Sequence, residues 1–264
     1  MVTKIVFIYM KKEEQNKFFF LFILTSVYKY TYNINVGDDN MEINNPKYKN
    51  QGIHVVSAIF TVDKGTTKVL IIKRKNEPFK DCWSLVSGAL YNDEEVLIGM
   101  KREIKEKAGF DNLHLELFDI FSDVNRAPVM RMVAIAYLGI VDKEKYNILK
   151  ETLKTSDADW VPIDLVPTLA YDHNEILKQA YEKLKIRIKE TDLLSHLYPN
   201  GFTMPEIQKI YESVLNKEFD RRNFRKKLLS TGLIEETNRT EKFDGNKPAK
   251  IYVFKDVNDI KNVF

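Results

Sequence analysis

The feature that most constrains the fold is a set of glycine, arginine and carboxylate residues at fixed spacings in the first half of the chain. Gly88 is followed after five residues by Glu94, and seven more residues lead to Arg102 and Glu103. Glu106 lies three positions beyond Glu103, so on a helix the two carboxylates share one face. Such a face suits Mg²⁺, a hard cation that prefers oxygen ligands and substrate phosphates.

The same segment also has the apolar periodicity of a helix that packs one face against the core. Asn92 and Glu95 have the spacing of a capping box, so the helix is expected to open at Asn92. Gly109 is expected to end it. Apolar residues three and four positions apart form the predicted core face, namely Leu97, Met100, Ile104 and Ala108.

The surrounding sequence predicts strands and a second helix. The candidate strands are residues 55–60, 68–72, 83–85 and 133–140. The second helix is expected to follow Asp172, which has Glu175 at capping-box spacing, and its apolar stripe is Ile176, Leu177, Ala180, Tyr181, Leu184 and Ile188. His173 is interpreted as an ordinary residue of the first turn, with contact to a ligand as the alternative.

The spaced residues resemble the Nudix box, G-x5-E-x7-R-E-U-x-E-E-x-G-U, in which U is apolar. Eight of its nine specified positions match, because Ile104, Gly109 and Phe110 also fit. The resemblance implies a Nudix α/β/α sandwich in an α+β chain, and Mg²⁺ in the cleft is possible. Residues 72–85 resemble the lead-in of Nudix domains that act on or bind ADP-ribose, and residues 157–162 resemble the late strand of the Nudix fold. The ligand-binding candidates that the resemblance implies are Arg74, Gly88, Arg126 and Arg131.

The departure from the Nudix box lies at its metal site. Lys107 stands where the family has a metal-ligating Glu, and an ammonium group only donates hydrogen bonds. A metal on Glu103 and Glu106 is therefore in question, and the box of Gly88, Glu94, Arg102, Glu103 and Glu106 is interpreted as vestigial. Two hypotheses remain open: hydrolysis is lost while diphosphate binding is kept, or Lys107 points away and the two carboxylates still hold one metal.

The chain continues well beyond the end of a Nudix domain with a predicted helix-turn-helix. Thr203 and Glu206 form a capping box with Pro205 in the first turn, and Asp220 is the expected N-cap of the second helix. Gly232 is expected to stop that helix. Two short helices joined by a tight turn are typical of a helix-turn-helix.

The second of these helices is rich in basic residues, which predicts binding to double-stranded DNA. Arginine and asparagine near the start of a recognition helix read guanine and adenine, and nearby lysines neutralise phosphates. Two alternating segments after it, residues 233–236 and 250–254, predict the paired strands of a wing. The DNA-binding candidates are Arg221, Arg222, Asn223, Arg225, Lys226, Lys247 and Lys250.

The whole arrangement is similar to the Nudix-related transcriptional regulators, which fuse a Nudix-type sensor to a C-terminal winged helix-turn-helix. That resemblance implies a homodimer whose effector is ADP-ribose, an NAD-related compound or a sugar metabolite, and DNA binding that needs no cofactor. The competing hypothesis is a Nudix hydrolase of the ADP-ribose diphosphatase type with an accessory C-terminal domain. A protein that does both is the third.

The cysteine content and the N-terminal sequence give the expectations for the cellular compartment and the domain bounds. One cysteine excludes a disulfide framework and favours a reducing, cytoplasmic compartment. Residues 1–40 contain a short apolar run after lysines, and they are interpreted as an extension that is disordered or lies upstream of a translation start at Met41. A membrane-surface anchor is the alternative. The predicted domains are residues 41–190, Nudix-type, and residues 191–264, winged helix-turn-helix.

Overall fold

The computed structural model describes residues 49–241 and 248–255. The predictions for residues 1–40 and for Lys247 lie outside the described residues. Residues 50–241 and 248–255 belong to one compact unit. Within the part that is described, no helix is both long and apolar enough to cross a bilayer.

The first part of the unit is built on a mixed sheet. Its strands are β1 (Gln51–Asp63), β2 (Thr66–Arg74), β3 (Trp83–Ser84), β4 (Val86–Ala89), β5 (Glu116–Phe121), β6 (Arg131–Ile140) and β7 (Thr155–Pro162). The order is β3-β2-β1-β6-β5, and β4 and β7 pair with β1 and β2 respectively. Strands β1 and β6 are parallel, whereas the other pairs are antiparallel.

Two helices cover the sheet, α1 (Val96–Ala108) on one face and α2 (His173–Glu190) on the other. The alternation along β1 explains the layers, because successive side chains point to opposite faces. Val55 and Ile59 pack with α1, whereas Val56 and Phe60 pack with α2. The expected α/β/α sandwich is therefore confirmed.

The predicted start of α1 is wrong. The helix begins at Val96 with Glu95 as its N-cap residue, and no side chain caps it. Glu94 instead accepts a hydrogen bond from the Tyr91 amide at 2.8 Å, which keeps the preceding residues in a loop. Leu97 is also not core, since it is 37% exposed in the first turn. Gly109 does end the helix, with φ of 83°.

The second part of the unit is a winged helix. It comprises β8 (Phe202–Thr203), α3 (Met204–Leu215), α4 (Arg221–Ser230), β9 (Ile234–Glu241) and β10 (Ala249–Phe254), with the strand order β8-β10-β9. The capping box of Thr203 and Glu206 and the Asp220 cap are both present. Strands β9 and β10 are antiparallel, as expected of a wing.

The two parts share one core. The cluster that contains Phe60 and Leu184 continues through Ile207 and Val214 of α3 to Phe224 of α4. Hydrogen bonds reinforce this contact, because the Tyr181 hydroxyl donates to the Val214 carbonyl at 2.9 Å and the Tyr211 hydroxyl donates to the Ile188 carbonyl. Helix α2 therefore packs on the sheet and on the winged helix together.

Leu184→Ala should lower the free energy of unfolding by about 2–5 kcal/mol, because it removes a fully buried side chain and leaves a cavity. Ile186→Ala, in the same helix but 41% exposed, is the matched control and should cost well under half as much. Urea unfolding followed by circular dichroism measures both. Equal losses for the two variants would show that α2 is not packed as described.

Candidate functional site

The residues of the box converge around Arg102. Its guanidinium contacts Glu94 through Nη2–Oε1 at 2.6 Å and Nε–Oε2 at 2.8 Å, and it contacts Glu103 through Nη1–Oε1 at 2.5 Å. The Tyr91 ring centroid lies 3.7 Å from the guanidinium carbon. Hydrogen bonding to Arg102 lowers the pKa of Glu94 to about 2. Arg102 thus holds the loop before α1 against the helix.

Lys107 points into the site, not away from it. Its Nζ lies 2.9 Å from Glu103 Oε2 and donates to the Ser87 carbonyl, and both side chains are nearly buried. Burial lowers the pKa of Lys107, and the Glu103 carboxylate opposes this shift. Burial likewise opposes ionisation of Glu103, but Lys107 and Arg102 outweigh it and hold the pKa of Glu103 below its usual value. The pair is therefore a buried ion pair.

Gly88 is required by the close approach of Glu103. A β-carbon at position 88 would lie 2.0 Å from the Glu103 carboxyl carbon and 2.2 Å from both of its oxygens. Any side chain there would displace the carboxylate from Lys107 and Arg102. The glycine that begins the box therefore serves to seat this ion pair.

A further cation in the site, Lys154, was missed by the sequence analysis. It lies in the loop before β7, and its Nζ is 2.5 Å from Glu106 Oε2 and 3.9 Å from Glu103 Oε1. The lysine belongs to no motif and no periodic stripe, so only the tertiary structure brings it to the carboxylates.

The charges of this cluster do not fit a divalent metal. Three carboxylates, of Glu94, Glu103 and Glu106, face three cations, of Arg102, Lys107 and Lys154. No group of three His, Cys, Asp or Glu side chains in the described ranges is arranged to hold a metal ion. The carboxylates that would ligate Mg²⁺ are instead neutralised by ammonium and guanidinium groups of the chain.

A second group of side chains, centred on Arg126, forms a cationic cradle. Arg126 pairs with Asp172 through Nε–Oδ2 at 2.9 Å and Nη2–Oδ1 at 2.7 Å. Its Nη1 is buried without a hydrogen-bond partner in the described structure, so one donor remains for a ligand. The predicted capping role of Asp172 is wrong, since its carboxylate binds Arg126 and makes no cap hydrogen bond.

Aromatic and histidine side chains line the same cradle. Arg74 lies 5.2 Å from the centroid of the Tyr171 ring, and the Phe79 ring lies 4.6 Å from that of Tyr171. Burial and the nearby Arg126 lower the pKa of His54 to about 4, so His54 is neutral at neutral pH. Lys107 and Glu103 also act on His54, which places the cradle beside the ion-pair cluster.

Two other candidate residues have structural partners. The buried ring of His173 accepts the Leu85 amide hydrogen at Nδ1, at 3.2 Å, which agrees with its interpretation as a structural residue of the helix. Arg131 donates to the carbonyl oxygens of Asp123 at 3.0 Å and Met132 at 3.4 Å, so its guanidinium holds its own loop.

Helix α4 presents basic side chains to solvent. The Asp220 carboxylate accepts hydrogen bonds from the backbone amides of Arg222 and Asn223, at 3.1 Å and 2.9 Å, which fixes the start of the helix. A cavity of about 510 Å³ beside the start of α3 is lined by four of the candidates, Arg221, Arg222, Arg225 and Lys226. Asn223 faces a different cavity on the other flank of α4.

Two DNA-binding candidates are already paired at the base of the wing. Arg225 contacts the Tyr252 hydroxyl through Nε at 3.0 Å and Glu236 through Nη2 at 3.1 Å. Lys250 forms an ion pair with the same Glu236 carboxylate. These contacts join α4 to β9 and β10, so the wing and the helix are held in one arrangement.

Both parts of the chain match known protein families. Residues 53–184 match the NUDIX domain, and residues 194–254 match the NrtR DNA-binding winged helix domain. The ADPR responsive transcriptional repressor NtrR of Acinetobacter baylyi is 32% identical over 201 residues, which is 75% of this chain and 79% of that protein. An ADP-ribose pyrophosphatase of Methanocaldococcus jannaschii is 32% identical over 127 residues, 48% of this chain and 73% of that protein.

A solved structure resembles the chain over both parts. The crystal structure of Shewanella oneidensis NrtR complexed with a 27mer DNA superimposes with a TM-score of 0.64 and 25% identity. The match covers 77% of this chain and 93% of that one. The likeness therefore extends through the sheet and the winged helix together.

Lys107→Glu should destabilise the protein by about 3 kcal/mol in the absence of metal, because it replaces one partner of a buried ion pair with a like charge. Mg²⁺ should restore part of this loss, whereas it should not stabilise the wild type. Thermal unfolding with and without Mg²⁺ measures both effects. Lys105→Glu, on the exposed face of α1, is the control. Equal stabilisation of the wild type by Mg²⁺ would contradict the neutralised cluster.

Proposed function

The chain belongs to the NUDIX family and carries an NrtR-type winged helix, and from this we propose that it is a ligand-responsive transcriptional regulator. Operator DNA binds to the winged helix, and ADP-ribose or a related nucleotide-sugar metabolite binds to the NUDIX domain. The observation that carries the proposal is a NUDIX box whose carboxylates are neutralised by Arg102, Lys107 and Lys154. The sheet that carries this box shares a core, on its α2 face, with an exposed basic helix.

The cationic cradle supports an anionic ligand. Arg126 offers a buried donor, and its pairing with Asp172 fixes the guanidinium in place, as preorganised diphosphate binding requires. Tyr171 and Phe79 add aromatic surface on which a base can stack. Both features suit a nucleotide diphosphate, and the name of the Acinetobacter relative, an ADPR responsive repressor, supports ADP-ribose as the effector.

The exposed face of α4 supports DNA binding. Arg222 and Lys226 project without an ion-pair partner in the described structure, whereas Arg225 is held by Glu236 and Tyr252. We propose that Arg222 and Lys226 meet the DNA, and that Arg225 positions the helix against the wing. Lys247 and Lys250 remain candidates for phosphate contacts at the wing.

We further propose a homodimer. Strand β5 is an edge of the described sheet, and Leu117 and Ile120 on it are 51% and 55% exposed. An edge strand with apolar side chains is a surface that proteins usually cover. A second copy of the chain there would also match the two-fold symmetry of a palindromic operator.

Arg222→Ala should weaken specific operator binding by about 1–3 kcal/mol, the typical worth of one good base contact. Fluorescence anisotropy with the operator and with a scrambled duplex measures the effect. Lys178→Ala, an exposed lysine of α2 distant in sequence from α4, is the control and should leave both affinities unchanged. Wild-type operator affinity in the Arg222 variant would contradict the assignment of α4 as the recognition helix.

ADP-ribose should change operator affinity, and the operator should change ADP-ribose affinity by the same factor, because coupling between two binding sites is reciprocal. Calorimetry with and without operator measures the second half of this cycle. Arg126→Gln should weaken ADP-ribose binding while leaving operator affinity intact. An ADP-ribose affinity that is insensitive to DNA would rule out coupling.

A diphosphatase is the second candidate, since the Methanocaldococcus relative is named an ADP-ribose pyrophosphatase and Glu103 and Glu106 are retained. The neutralised cluster argues against it. The two functions differ in turnover: an enzyme of ordinary efficiency would cleave ADP-ribose at about 1–10³ per second with Mg²⁺. A rate in that range for the unmodified protein would favour the enzyme, whereas its appearance only in Lys107→Glu would favour the regulator.

A further inference from the structure

A cavity on the flank of α4 away from α3's first turn has no role in the proposed function. Its volume is about 450 Å³, and it lies between the end of α2, the turn that joins α3 to α4, and α4 itself. This size falls within the range of about 300–1,000 Å³ that is typical of small-molecule sites. Every residue that lines it is described by the structure.

The floor of the cavity is aromatic and apolar. The Tyr211 and Phe224 rings meet edge to face with centroids 5.3 Å apart, and the Phe219 ring lies 5.6 Å from that of Phe224. Leu215 and Leu228 complete the floor. Such a surface favours a flat apolar body, because burial of apolar area is the main source of affinity in small-molecule sites.

The walls of the cavity are fixed by hydrogen bonds. Gln208 Nε2 donates to the Phe219 carbonyl at 2.8 Å, and Glu212 Oε1 accepts the Phe219 amide hydrogen at 2.9 Å. The Tyr211 hydroxyl donates to the Ile188 carbonyl, which joins α3 to α2. The cavity is therefore preformed, and a ligand would not have to order its walls.

The rim of the cavity is cationic. Lys189, Lys217 and Lys227 are exposed, and none forms an ion pair with a carboxylate in the described ranges. The Lys217 ammonium lies 5.7 Å from the centroid of the Phe219 ring. Of the two acidic residues in the lining, Asp220 has its carboxylate engaged by the backbone amides at the start of α4. Glu218 is the other, so the rim carries a net positive charge.

We propose that this cavity binds a compact aromatic carboxylate. The aromatic floor receives the ring, and the lysines of the rim bind the carboxylate. A DNA phosphate would pair with the lysines but would leave the apolar floor uncovered. An aromatic carboxylate contacts both the lysine rim and the apolar floor. The site lies on α4 itself, through Asn223 and Lys227, and a ligand there contacts the helix proposed to bind DNA.

The test uses the full chain and two probes with the same ring system, the anionic naphthalene-2-carboxylate and the neutral naphthalene-2-carboxamide. Titration calorimetry should show binding of the carboxylate and at least tenfold weaker binding of the amide. The double variant Lys189→Ala with Lys227→Ala should lose at least tenfold in affinity for the carboxylate. The matched control, Lys178→Ala with Lys209→Ala, removes two exposed lysines outside the cavity and should leave affinity unchanged.

Saturating ADP-ribose should not displace the carboxylate probe, because the cavity is distinct from the NUDIX cleft. The result therefore does not depend on whether ADP-ribose is the effector. Thermal unfolding verifies that both double variants are folded. Four results would each overturn the proposal: no binding of the carboxylate at millimolar concentration, equal binding of the amide, unchanged affinity in the cavity variant, or displacement by ADP-ribose. Unchanged affinity for the carboxylate, together with a weaker salt dependence of DNA binding in the cavity variant, would show that the lysines bind DNA phosphates instead.

Discussion

The buried ion pair of Lys107 and Glu103 is the interaction on which the first half of the molecule depends. Two opposite charges in a site with little solvent require each other, because removal of one leaves the other desolvated and unpaired. Gly88 is a glycine because of this pair, and Arg102 completes it from the other side of the carboxylate. The arrangement keeps the geometry of a NUDIX box while its charge is balanced by the chain itself.

The second constraint is helix α2, which connects the two halves. Asp172 precedes its first turn and holds Arg126 in the cradle, whereas Ile188 in its last turn accepts the Tyr211 hydroxyl of the winged helix. Between them, the buried stripe from Ile176 to Ile188 belongs to a core that reaches α4. The cradle and the winged helix therefore contact opposite ends of the same helix.

Much of the fold could be predicted because its signals are local. The capping box of Thr203 and the Asp220 cap each involve residues within one turn of a helix, and the structure has both. The box spans one loop and one helix, and its Gly88, Arg102 and Glu103 lie together in the structure. The errors arise where a distant partner outweighs the local rule. Asp172 stands at the N-cap of α2, but Arg126 takes its carboxylate. At α1 the Asn92–Glu95 spacing predicted a capping box, but the helix begins only at Val96, after a loop in which Glu94 binds Arg102. Lys154 reaches the site from a loop, with no pattern that would predict it.

The shared core has a consequence for how such a chain can be divided or recombined. Phe202, Ile207 and Val214 are buried in a cluster that α2 helps to form, although α2 precedes the winged helix in sequence. A winged helix that begins at residue 191 would expose this apolar surface to water. Fusing the winged helix to another ligand-binding domain would therefore also require the face of α2 that covers it. The smallest exchangeable unit is therefore the winged helix together with the helix before it, and modularity in this architecture follows the packing, not the domain boundary.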